Sequence, residues 1–98
     1  MSDADSGPAA VRRTVTVCNQ RGLHARAAAR FAKLAETFDA RITVACRGQS
    51  VSARSIMGLM MLAAGSGTEI EIAADGRQAE AAVDALVALV EARFEEEI

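Results

Sequence analysis

Residues 14–38 read TVTVCNQRGLHARAAARFAKLAETF, and a change of period inside this stretch decides the fold class. Val15 and Val17 alternate with Thr14 and Thr16, the two-residue repeat of a strand with one buried face. Asn19-Gln20-Arg21-Gly22 then forms a turn. From Ala25 the repeat lengthens: Ala28, Phe31, Ala32, Ala35 and Phe38 lie three or four apart, with Arg26, Arg30, Lys33 and Thr37 opposite. That spacing predicts an amphipathic helix of about four turns packed by one face.

The same two periods alternate through the rest of the chain. Arg41-Ile42-Thr43-Val44-Ala45-Cys46 reads as a second strand, and after Arg47-Gly48-Gln49 the segment Ser50-Val51-Ser52-Ala53 pairs back as a hairpin. Ser55 stands where a helix N-cap would accept a bond from an unpaired backbone N–H. The helix it starts covers Ile56 to Ala63 and closes at Gly65-Ser66-Gly67. Thr68 to Ala73 sets Ile70 and Ile72 against Glu69 and Glu71, giving a fourth strand, and Asp75-Gly76 turns the chain. A last helix places Ala79, Val83, Leu86, Val87, Val90 and Phe94 on one stripe, with Glu80, Asp84 and Glu91 outside it. The order βαββαβα predicts an α+β, two-layer open-faced sandwich, with a four-stranded, mostly antiparallel sheet and three helices on one face.

At 98 residues the chain has room for one core. Residues 1–10, acidic and small with neither a basic start nor an apolar run, read as a flexible tail before a single domain over 11–98. No stretch approaches the roughly 18 consecutive apolar residues of a membrane span, so a cytoplasmic protein without membrane insertion is expected. Cys18 and Cys46 are expected to be buried free thiols, and with His24 they lack the fourth ligand and the spacing of a metal site.

The net charge of −2 argues against nucleic-acid binding. Its distribution is uneven: residues 1–54 hold nine basic and four acidic side chains, residues 55–98 two and nine. A basic region is therefore expected around the first half, suited to an acidic partner or a phosphate. The second helix carries two apolar arcs, Leu59, Leu62 and Ala63 on one, and Ile56, Met57, Met60 and Met61 on the other. One sheet rarely buries both. The second arc is either core against the third helix or an adaptable Met-rich docking surface.

The single histidine, His24, falls at the start of the first helix. Unpaired N–H groups and a partial positive charge there favour an anion and disfavour an imidazolium, leaving a neutral, nucleophilic ring. Arg26 adds a guanidinium able to hold phosphate oxygens by two hydrogen bonds. Gly22-Leu23-His24-Ala25-Arg26, followed by Ala28 and Phe31, resembles the active-site motif of the HPr phosphocarriers of the bacterial phosphoenolpyruvate-dependent phosphotransferase system. Ser55-Ile56-Met57-Gly58-Leu59-Met60 resembles that family's regulatory serine segment, and Gly67-Thr68 and Asp75-Gly76 match in order and spacing. The resemblance runs from about Val11 to Phe94.

It implies that Enzyme I, charged by phosphoenolpyruvate, phosphorylates Nδ1 of His24, and that the group passes to an EIIA-type protein. Arg26 would stabilise the phosphate and Arg21 add local charge, without metal or cofactor. Ser55 would be the target of an HPr kinase. Arg21, Ala27, Ile56, Met57 and Met60 are expected to meet partners, and the chain to act as a monomer. Ala27 stands where the family usually has proline, so its N–H is an extra candidate donor to phosphate. Asn19, Arg21 and the acidic C-terminus resemble the nitrogen-related branch, the Ser55 segment the sugar-related one. The alternative function is a regulatory protein-binding module whose target binding depends on its phosphorylation; an acylphosphatase-like domain has the right size but no matching phosphate loop.

Overall fold

A computed structural model describes residues 11–96; the expected tail at 1–10 lies outside the described residues. The elements follow the expected order: β1 Val11–Thr16, α1 Ala25–Glu36, β2 Arg41–Cys46, β3 Gln49–Ser52, α2 Ile56–Met61, β4 Glu69–Asp75 and α3 Ala79–Glu91. A 3₁₀ turn, Arg93–Glu95, follows. The sheet order is β1-β4-β2-β3 and every neighbouring pair is antiparallel. Register pairs Val15 with Ile70, and Val44 with both Ile72 and Val51. Alternation then sends Val15, Val17, Ile42, Val44, Ile70 and Ile72 to one buried face, where they meet Phe31, Leu59, Leu86 and Val90 from the helices. No helix among the described residues is long and apolar enough to cross a membrane.

The helix ends differ from the sequence reading, each for a local reason. Helix α1 stops at Glu36, because Thr37 caps it and donates its hydroxyl to Leu34 O at 2.7 Å; Phe38 packs half-buried beyond the end. Helix α2 stops at Met61, with Leu62 as C-cap and Ala63 left-handed at φ 53°. Ala63, and not Gly65-Ser66-Gly67, therefore ends the helix. It is exposed, while Ala64 fills the core position expected of it. Helix α3 ends at Glu91, and Phe94 reaches the core from a turn in which Arg93, Phe94 and Glu95 have φ of 58°, 55° and 63°.

Both cysteines are free, but only Cys46 is buried. Val17 takes the last inward position of the first strand run, so Cys18 turns outward with its thiol 3.5 Å from Val90 O. The second arc of α2 is surface, with Ile56, Met57, Met60 and Met61 43%, 70%, 40% and 73% exposed. Helix α2 packs on α1 and β3, so the alternative of a core against α3 does not hold.

Candidate functional site

The loop between β1 and α1 is anchored before it delivers any functional group. Val17 N–H donates to Thr68 O at 2.9 Å, Gly67 N–H to Val17 O at 2.7 Å, and Leu23 N–H to Ala64 O at 2.9 Å. Leu23 is buried, which pins the loop to the core. Gly22 sits at φ 67°, and a Cβ there would lie 2.4 Å from Ala64 O and 2.7 Å from Gly65 Cα. Only glycine fits that approach.

His24 is the N-cap of α1. Its backbone is extended (φ −75°, ψ 179°), and its O accepts the helix bond from Ala28 N–H at 2.8 Å. Its side chain does what a serine or aspartate does at other caps: Nδ1 accepts from Arg26 N–H at 3.2 Å. The other ring nitrogen, Nε2, pairs with Glu96 Oε2. A nitrogen that accepts from an amide carries no proton, so the neutral ring holds its N–H on Nε2, facing the carboxylate. The second oxygen of Glu96 accepts from Asn19 Nδ2 at 3.1 Å, and the same amide donates to Gly22 O at 2.8 Å. Asn19 is fully buried. Burial pushes the Glu96 carboxyl up; hydrogen bonds from His24 and Asn19, the charge the His24 ring carries when protonated and the charge of Arg21 outweigh it and hold the group below its ordinary value.

The ring opens on a cleft of about 490 Å³ lined by Gln20, Arg21, His24, Arg26, Arg30, Glu95 and Glu96. Arg21 and Arg26 are exposed there and make no ion pair among the described residues. Arg30 donates to Phe94 O at 2.8 Å and approaches Glu95 Oε1 at 3.4 Å. The expected basic region is thus present but carries two carboxylates from the C-terminal segment. The acidic half of the chain folds back onto the basic half, as it also does in the Arg12–Glu71 and Arg13–Asp84 pairs.

Ala27 corrects one expectation. The residue is fully buried, so neither its methyl nor its N–H is offered to a partner or a phosphate. Ser55 caps α2 as expected, its Oγ accepting from Gly58 N–H at 2.9 Å. It lies at the opposite end of α2 from Ala63, Ala64 and Gly65, which border His24; six helical residues rise roughly 9 Å, so Ser55 stands apart from the cleft. Ile56, Met57 and Met60 form the apolar surface next to it. Sequence reasoning assigned no site role to Asn19, Arg30, Glu95 or Glu96. The run Glu95-Glu96-Glu97 carries no local signal of a contact with a residue 72 positions earlier.

Known proteins share this fold and much of this sequence. The family model for the PTS HPr component phosphorylation site matches residues 11–92. Phosphocarrier protein NPr of Shewanella violacea is 49% identical over 86 residues, covering 88% of this chain and 94% of that one. Phosphocarrier protein HPr of Cupriavidus necator is 44% identical over 86 residues, covering 88% and 97%. Among solved structures, HPr-C-His from Thermoanaerobacter tengcongensis superposes with a TM-score of 0.85 at 40% identity, over 90% of this chain and 99% of that one. A family match that runs through both the histidine loop and the Ser55 helix, on a shared fold, makes this chain a member of the HPr family of phosphocarrier proteins.

Proposed function

We propose that this chain carries a phosphoryl group on Nδ1 of His24, taking it from Enzyme I after that protein is charged by phosphoenolpyruvate and passing it to an EIIA-type protein. The observation that carries the reading is the ring's setting. Nδ1 accepts a helix-start amide, and the ring borders a cleft with two arginines outside any ion pair of the described residues. Phosphoryl transfer asks little covalent chemistry of the protein; it asks for alignment and for charge to meet the phosphoryl oxygens. As the Nδ1–P bond forms and the donor's bond to phosphorus breaks, Arg26 N–H passes from Nδ1 to a phosphoryl oxygen. The guanidinium of Arg26 supplies the countercharge and Arg21 adds to it. A monomeric, cytoplasmic carrier suits this reading, because it must leave one partner before reaching the next.

Ser55 supports regulation on the same molecule by an HPr kinase. A phosphate on its oxygen would place a dianion beside Ile56, Met57 and Met60 and weaken docking by desolvation and charge. A regulatory module that binds targets according to its phosphorylation is the second reading, and it uses this same surface.

Intact-mass measurement after incubation with Enzyme I and phosphoenolpyruvate tests the carrier reading. The expected result is one added phosphoryl group, labile to acid and stable to base, and none on His24→Ala. Equal labelling of His24→Ala would contradict it.

A further inference from the structure

Glu96 arrives at His24 by a costly route. Arg93, Phe94 and Glu95 are all left-handed, a conformation L residues rarely adopt even singly. The turn is fixed by the fully buried Phe94 ring and by Arg30, which holds Phe94 O. Beyond it both oxygens of Glu96 are used, one on His24 Nε2 and one on the buried Asn19 amide, and the side chains of His24 and Glu96 are 22% and 15% exposed. A carboxylate merely satisfied at the surface would need neither the left-handed turn nor the buried amide.

We propose that Glu96 is a positioning residue for His24, holding the Nε2 proton so that Nδ1 is the nucleophile and neutralising the imidazolium that phosphorylation creates. The inference rests on His24 being the phosphoryl acceptor. The two nitrogens lie on opposite flanks of the ring, so the carboxylate orients Nδ1 without covering it. In accepting the group, the Nδ1 lone pair bonds to phosphorus while the bond from phosphorus to the donor protein breaks and its electron pair leaves with the donor. Nε2 keeps its proton, and a neutral ring becomes an N-phosphoryl imidazolium against Glu96. In onward transfer a lone pair of the acceptor protein bonds to phosphorus as the Nδ1–P electron pair returns to Nδ1, and a neutral imidazole leaves with its Nε2 proton unmoved. Without the carboxylate, Nε2 gives up its proton more readily, and the departing group becomes a far poorer imidazolate. The logic is that of a carboxylate behind a catalytic histidine. The other charges facing the ring, Arg21 and Arg26 with Arg30 and Glu95 further along the cleft, are unchanged by substituting Glu96.

Two variants separate the hydrogen bond from the charge. In the unphosphorylated protein at alkaline pH, ring ¹⁵N shifts should report the Nε2–H tautomer for the parent and for Glu96→Gln, whose amide oxygen still accepts. Glu96→Ala removes the acceptor on Nε2 and leaves only the 3.2 Å bond from Arg26 N–H to favour that tautomer, so it should show an admixture of the Nδ1–H form. In the phosphorylated protein, Glu96→Gln should move the pH profile of phosphohistidine hydrolysis to lower pH and slow onward transfer by about 10-fold or more, at or above the low end of the scale for losing a carboxylate behind a metal-bound histidine. Unchanged tautomers in Glu96→Ala together with coincident pH profiles in Glu96→Gln would overturn the proposal. So would faster transfer by Glu96→Gln, which would make the carboxylate a shield. The tautomer measurement needs no phosphate, so failure of His24 to label in the parent would sink the carrier reading separately.

Discussion

At the scale of single residues the site is a set of obligations around one ring. Nδ1 is turned to the Arg26 amide, Nε2 to Glu96, and the loop behind both can close only because Gly22 has no Cβ. Gly22→Ala would set a methyl against a backbone oxygen and force an L side chain into the left-handed region. It should cost more than about 3 kcal/mol, by strain of roughly 1–2 kcal/mol and a clash that backbone must move to relieve. Urea denaturation measures the loss; a cost under about 1 kcal/mol would mean that the loop is not held where Ala64 O and Leu23 N–H place it. His24 and Arg26 were legible because they are neighbours in a helix-start motif and their chemistry is local. Glu96 and Asn19 were not, since their roles exist only after a turn of three left-handed residues that no glycine announces.

At the scale of elements, period separated strand from helix in β1, α1, β2, β4 and α3, each of which buries one face, while β3 and α2 were read from a hairpin turn and from the Ser55 cap. Element ends were less legible. Phe94 continues the apolar stripe of α3 in register, and nothing in the sequence says that the helix stops at Glu91 and the ring returns from a turn. Helix α2 shows the value of reading two arcs: Leu59 and Leu62 are core, while Met57 and Met61 face solvent. Met57→Asp should therefore shift the melting temperature by less than about 4 °C, since an acid in a first helical turn is tolerated and the site is exposed. It should nevertheless slow phosphoryl exchange with Enzyme I. Ser55→Asp should behave alike, as aspartate can accept the Gly58 N–H. Calorimetry and exchange kinetics together check both: a large fall in melting temperature, or unchanged exchange, would remove the docking role of this surface.

At the scale of the molecule, the uneven charge of the two halves is resolved by folding one onto the other. Arg30–Glu95 and His24–Glu96 carry the C-terminal segment onto the first helix. The Glu96 carboxyl titrates below its ordinary value when folded, so between the folded and unfolded values the folded chain binds fewer protons. Its contribution is complete above the unfolded value and is lost as pH falls through the folded one. Parent and Glu96→Gln should differ in stability by on the order of 1 kcal/mol at neutral pH, and the gap should close in acid. Urea titrations of both proteins across the acid range test this, and a gap that widened on acidification would reverse the assigned sign.

All three scales meet at one atom, Nδ1 of His24. Phosphorus–nitrogen correlation by NMR, on ring-labelled protein charged with Enzyme I and phosphoenolpyruvate, observes that atom directly. The account predicts phosphorus bonded to Nδ1, with the proton retained on Nε2 beside Glu96. Phosphorus on Nε2, or on no ring nitrogen at all, would contradict it.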